Sequence, residues 1–248
     1  MIDLLIFTAT IIGLYLARIW IGSRIQGISL LITGKKSTGI KIYSLIFLPG
    51  VIIHELSHFF TAALLNVRTG NITIFPSEKK EGEISLGSVQ MAETDFIRTS
   101  LIGAAPFFTG LIAIYALVKL QFAYLLDQPD IYSWVNQFIT NTTKLSQPIT
   151  WLTLYAILAI ANTMYTSKED RRAWPVISFF LLLFLGVVIL SGNSRTIAQK
   201  IIPTLANLAR SLSLSFIFAI VIDLIAIILL LFLEKLLQKL TSKRIRYY

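Results

Sequence analysis

His54 and His58 stand four residues apart with Glu55 beside the first, and on a helix that spacing projects both imidazoles from one face. Two imidazole nitrogens so placed can grip one divalent metal ion, while the neighbouring carboxylate takes and returns protons. These are the only two histidines in the chain, and there is no cysteine, so any further ligand is a carboxylate. A catalytic zinc ion takes three protein ligands and leaves its fourth position to water, so the pair needs a partner from elsewhere. The acids outside the motif that offer themselves are Glu78, Glu81, Glu83, Glu93, Asp95, Asp127, Asp130, Glu169, Asp170 and Asp223.

The elements that position this motif are hydrophobic. Val51-Ile52-Ile53 precedes it and Phe59-Phe60 follows it, so the chemistry lies below a membrane surface. The 248 residues are 55% hydrophobic and 14% charged, with a mean hydropathy of +0.74, which excludes an ordinary soluble enzyme. The expected fold is an all-α polytopic membrane protein, one transmembrane domain over 1–248. About six spans are expected, near 2–21, 43–66, 97–126, 149–167, 173–191 and 212–236. Two further segments have the spacing of helices lying in the membrane interface. One is 131–139, with Ile131, Trp134, Val135, Phe138 and Ile139 on one face; the other is 195–210, with Ile197, Ile201, Leu205 and Leu208. After the second span, Ile72-Thr73-Ile74-Phe75 and Glu83-Ile84-Ser85-Leu86 flank a charged turn, the pattern of a small β-hairpin.

The net charge of +9 resides mainly in short connections and in the tail, at Lys235, Lys239, Lys243, Arg244 and Arg246. Charges flanking spans account for it better than nucleic acid does, and the lipid bilayer is the expected surrounding. The basic tail places the C-terminus in the cytoplasm, and an even number of spans brings the N-terminus to the same side, with Arg24, Lys35, Lys36 and Lys41 on the opposite one.

His54-Glu55-Leu56-Ser57-His58 in an early span, a hairpin-like loop after it, and Asn162 with Asp170 eight residues on at the end of a later span resemble the site-2 protease family of intramembrane zinc metalloproteases. The resemblance covers about 43–175, with additional helices in 1–42 and 176–248. It is to a divergent member, since the run from Asn162 to Arg171 lacks the prolines after the Asn and the Gly after the Asp. It implies His54, His58 and Asp170 as zinc ligands, Glu55 as the acid/base and Asn162 as a substrate-positioning residue. Gly103-Ala-Ala-Pro106 and Gly110 are similar to the family's Gly- and Pro-containing third span.

The reaction expected is hydrolysis of a peptide bond by zinc-activated water with Glu55 as general base, on a membrane-embedded or membrane-proximal protein or peptide. Asn162 or Tyr165 would donate to the developing oxyanion. The hairpin, through Ile72 and Ile74, would hold substrate extended by strand addition. Two other classes compete: a catalytically silent zinc-binding protein that recognises a partner, against which Glu55 argues, and a metal or proton transporter using Asp223 and the pair His54 and His58, which would need more polar residues along one pathway.

Overall fold

The computed structural model describes residues 2–78, 84–85, 87–126, 128, 131–141, 145–165, 179, 183, 194–243 and 245. Its helices are α1 (Ile2–Thr33), α2 (Lys36–Ile46), α3 (Leu48–Leu64), α4 (Phe96–Phe122), α5 (Ile131–Thr140), α6 (Pro148–Thr163) and α7 (Ser194–Thr241). Between α3 and α4 lie four short strands, β1 (Thr69–Thr73), β2 (Ser77–Glu78), β3 (Ile84–Ser85) and β4 (Ser88–Met91).

Among the described residues, three helical stretches are long and apolar enough to cross a bilayer: Ile2–Thr33, Phe96–Leu125 and Pro203–Thr241. The protein is therefore a membrane protein, built mainly of helices. The expected six spans are not reached among the described residues. The segment near 43–66 is split into α2 and α3, bent by 83° at the break, and the pair taken together is apolar enough to count as a fourth, broken span. Helix α6 has 16 residues, short of the ~20 that cross the hydrocarbon core. Of the expected span at 173–191, only Phe179 and Leu183 are among the described residues.

Two helices run longer than their apolar runs suggest. Helix α1 continues through Arg24 to Thr33 because Arg24 Nη1 meets Glu234 Oε2 on α7 at 3.0 Å, and Gln238 Nε2 holds the other carboxylate oxygen at 2.9 Å. A charge inside an apolar helix is tolerated when paired in this way. Helix α7 joins the expected interfacial segment 195–210 and the last span into 48 continuous residues, with Pro203 inside. It packs along α1, and the core between α1, α4, α6 and α7 is filled by Leu14, Ile114, Phe122, Ile157, Phe216 and Phe218. Helix α5 divides its apolar face. Trp134 is buried and stacks on Phe138 at 5.8 Å, whereas Val135 and Ile139 stay exposed.

The hairpin is present. β1 pairs antiparallel with β4, Ile72 opposite Val89 and Thr73 opposite Ser88, and β2 pairs with β3 nearer the tip. The register slips between Thr69 and Ile72, where the ladder is irregular. After β4 the chain enters α4 through Asp95, whose Oδ1 accepts from the backbone N–H groups of Ile97 at 3.0 Å and Arg98 at 3.1 Å. These bonds, Arg98's first, hold its carboxyl below the usual carboxylate range. Asp95 is thus a helix cap paired with Arg98.

Candidate functional site

The motif helix begins at a corner. Pro49 has no N–H to continue α2, and its ring would clash with a carbonyl four residues back, so the chain turns at Phe47 and restarts with Pro49 in the first turn of α3. The corner leaves carbonyls at the end of α2 without helical partners. Tyr155 of α6 donates its hydroxyl to one of them, Ile46 O, at 2.7 Å. At its other end α3 stops at Asn66, whose φ of 56° is the left-handed conformation that asparagine tolerates.

His54 and His58 sit one turn apart on α3, ring centroids 5.0 Å from each other. Each ring is aimed by a backbone carbonyl of a different helix. His54 Nδ1 lies 2.7 Å from Thr163 O, and His58 Nδ1 lies 2.9 Å from Ile102 O. A carbonyl only accepts, so Nδ1 is the protonated nitrogen in both rings. An imidazole protonated at Nδ1 presents its lone pair at Nε2, the form in which it binds a metal.

Both carbonyls are available for a sequence reason. Thr163 is the last residue of α6, where carbonyls have no helical partner. Ile102 lies inside α4, but the residue that would donate to it, four positions on, is Pro106, which has no N–H. The proline thus leaves an acceptor in mid-helix, and His58 takes it. Replacing Pro106 with Ala restores the N–H and gives His58 a competitor. The expected outcome is a gain in thermal stability, since proline in a helix interior costs about 3 kcal/mol, together with a roughly 10-fold loss of metal affinity, the usual scale for an outer-shell partner. Melting curves and zinc titration of Pro106→Ala check the opposed signs.

Glu55 is buried, 6% exposed, at the foot of the hairpin. Gly87, just before β4, packs directly on it: a Cβ at that position would lie 2.7 Å from Glu55 Oε1 and 2.8 Å from its Cγ. Only glycine lets the strand approach the carboxylate so closely. Gly87→Ala is expected to push the Glu55 side chain aside, lowering kcat at least 10-fold if that carboxylate is the proton acceptor, with metal content unchanged. Parallel rate and metal measurements check it.

Of the other expected site residues, Ile72 and Ile74 lie half-buried on β1 and just beyond it, and among the described residues β1 pairs only with β4. Asn162 is fully buried, and its Nδ2 donates to Asp223 Oδ1 on α7 at 2.8 Å. The Tyr165 hydroxyl donates to Ile11 O of α1 at 2.6 Å. The two groups considered for an oxyanion are therefore engaged within the protein in this conformation. Asp170 lies outside the described residues. Among those described, no cluster of three or more His, Cys, Asp or Glu side chains is poised on one ion. Sequence reasoning missed the second layer, Thr163 O and Ile102 O; Pro106 was its visible signal, four residues past Ile102.

The donor set fits zinc in its chemistry: two Nδ1-protonated imidazoles on one helix face, with a buried carboxylate alongside. Comparison of the chain with family models, curated proteins and solved structures finds no match.

Proposed function

We propose that the protein is an intramembrane zinc metalloprotease, similar to the site-2 proteases, acting on membrane-embedded or membrane-proximal polypeptides. The observation that carries this reading is the pair of tautomer-fixing contacts, Thr163 O to His54 and Ile102 O to His58, in an apolar helix that also bears the buried Glu55. A structural role for two histidines would not call for a buried acid beside them.

His54 and His58 would hold the metal, with Asp170 as the third ligand that the resemblance implies. Zinc, when bound, supplies Lewis acidity toward water and a peptide carbonyl. Glu55 takes the proton from the attacking water and returns it to the leaving amine nitrogen. The edge of β1 that pairs with no strand among the described residues holds the substrate chain extended, with Ile72 and Ile74 meeting its side chains, because an intact substrate helix hides its carbonyls. Both chain termini face the cytoplasm in this reading.

The test is elemental analysis of the purified protein in a bilayer mimetic, with a membrane-spanning peptide as substrate. Wild-type protein is expected to carry stoichiometric zinc and to cleave; His54→Ala and Asp170→Ala are expected to lose both. Wild type free of zinc after reconstitution, or an Asp170→Ala variant that binds it with unchanged affinity, would overturn the ligand set. Zinc binding without cleavage of any peptide tried would favour the silent partner-binding protein.

A further inference from the structure

The strongest unexplained feature lies behind the histidines, where Asn162 of α6 meets Asp223 of α7, both with no exposed surface. Asn162 Nδ2 donates to Leu158 O at 2.9 Å and to Asp223 Oδ1 at 2.8 Å. Two acceptors around one atom fix the amide orientation, because turning it over would bring oxygen against oxygen. Both amide protons are then used. Asn162 Oδ1 and Asp223 Oδ2 remain buried with no partner.

Among the described residues no donor reaches either. Tyr43 of α2 donates its hydroxyl to Asn162 O at 2.8 Å, and Tyr165 is spent on Ile11 O. Arg18 of α1 lies over the Tyr165 ring, its Cζ 5.8 Å from the centroid, and among the described residues it forms no ion pair with Asp223. An ionised carboxylate here would be an unpaired charge in an apolar helix. One proton on Asp223 Oδ2 changes the inventory: the carboxyl gains a donor, and the orphaned acceptor on the same pair is Asn162 Oδ1.

We infer that Asp223 is held as the neutral acid, bonded twice to Asn162, and that this acid–amide pair positions the metal-binding face of α3. The path is short. The Asn162 side chain ties the end of α6 to α7, its carbonyl is held by Tyr43, and the next carbonyl, Thr163 O, orients His54. Asn162 therefore acts on the site through the backbone it anchors, in place of the substrate contact expected for it. Asp223 is a positioning residue at one further remove. The effect on zinc rests on the proposed function; the proton and the His54 tautomer do not.

The test uses the full-length protein in a bilayer mimetic. Infrared spectra of zinc-free wild type are expected to show the C=O stretch of a protonated, buried carboxyl that Asp223→Asn removes. An amide at 223 still offers one donor and one acceptor to Asn162, so Asp223→Asn is expected to keep zinc affinity within about threefold and to keep His54 protonated at Nδ1 in nitrogen NMR. Asp223→Leu lacks both groups; it is expected to lose zinc affinity roughly 10-fold or more, the scale of outer-shell changes, and to mix the His54 tautomers while leaving His58 unchanged. Absence of the carboxyl band, which would mark an ionised Asp223, overturns the inference, as does an Asp223→Asn variant as damaged as Asp223→Leu. Should Asp223→Leu fail to fold, the wild-type spectrum and Asp223→Asn decide the matter. A protein that binds no zinc would sink the protease reading while the infrared and tautomer measurements still judge the pair.

Discussion

Glu55→Gln is expected to bind zinc as tightly as wild type and to lose about 10²–10⁴ in cleavage rate, the range attached to a positioned general base. The substitution keeps the shape of the side chain beside Gly87 and leaves the contacts of His54 and His58 untouched. What it removes is the ability to accept a proton. An amide can still hydrogen-bond water, so substrate affinity should change little and the loss should fall on kcat. Zinc content, melting temperature and single-turnover cleavage of a membrane-spanning peptide measure the three quantities separately. A variant that cleaves within threefold of wild type would remove Glu55 from the chemistry.

Gly50→Ala is expected to have the second large effect, for a steric reason. Gly50 lies one helical turn before His54, where α3 crosses α6, and a Cβ there would overlap the Thr163 hydroxyl and the Ala159 carbonyl. Backbone cannot swing aside as a side-chain tip does. Small residues at such crossings let helix backbones touch, and in a membrane that contact replaces the hydrophobic drive. Alanine favours a helix interior over glycine by about 0.8–1 kcal/mol, so propensity alone would raise stability. The overlap instead costs about 1–3 kcal/mol and pushes α3 away from Thr163 O, the acceptor of His54. A lower melting temperature together with a 10- to 100-fold weaker zinc affinity, on the scale of lost outer-shell support, is the expected pair of results. Unchanged zinc affinity would show that His54 does not depend on this crossing.

Much of the site's first layer is legible as residue spacing. His54, Glu55 and His58 needed only the helical period, and the long apolar runs of α1, α4 and α7 needed only length and hydropathy. The hairpin was legible from its alternation and its charged turn. What escaped depends on pairings across the chain. Arg24 interrupts the apolar run of α1, and nothing local reveals that Glu234, 210 residues away, neutralises it. Asn162 and Asp223 are 61 residues apart, and no local pattern in α6 or α7 reveals that the two side chains bond. The break at Phe47 was carried by Pro49, yet a continuous apolar run concealed it because hydropathy does not register direction.

That corner also sets which changes of chain length the protein can absorb. Helix α3 starts afresh at Leu48, so the azimuth of its histidines is counted from there and not from the residues upstream. His54 stands six positions along, about 9 Å at ~1.5 Å per residue, and each position turns by ~100°. One residue inserted between Pro49 and Ile53 would swing both imidazoles a quarter-turn or more from the carbonyls of Thr163 and Ile102, and nothing later in the helix would return them. The same insertion in the loop joining α1 to α2, at Gly34 and Lys35, leaves that count untouched. Insertions and deletions should therefore be tolerated before the corner and barred from Leu48 to His58, so that divergent chains of this kind vary in the approach to the motif helix but not in the helix itself.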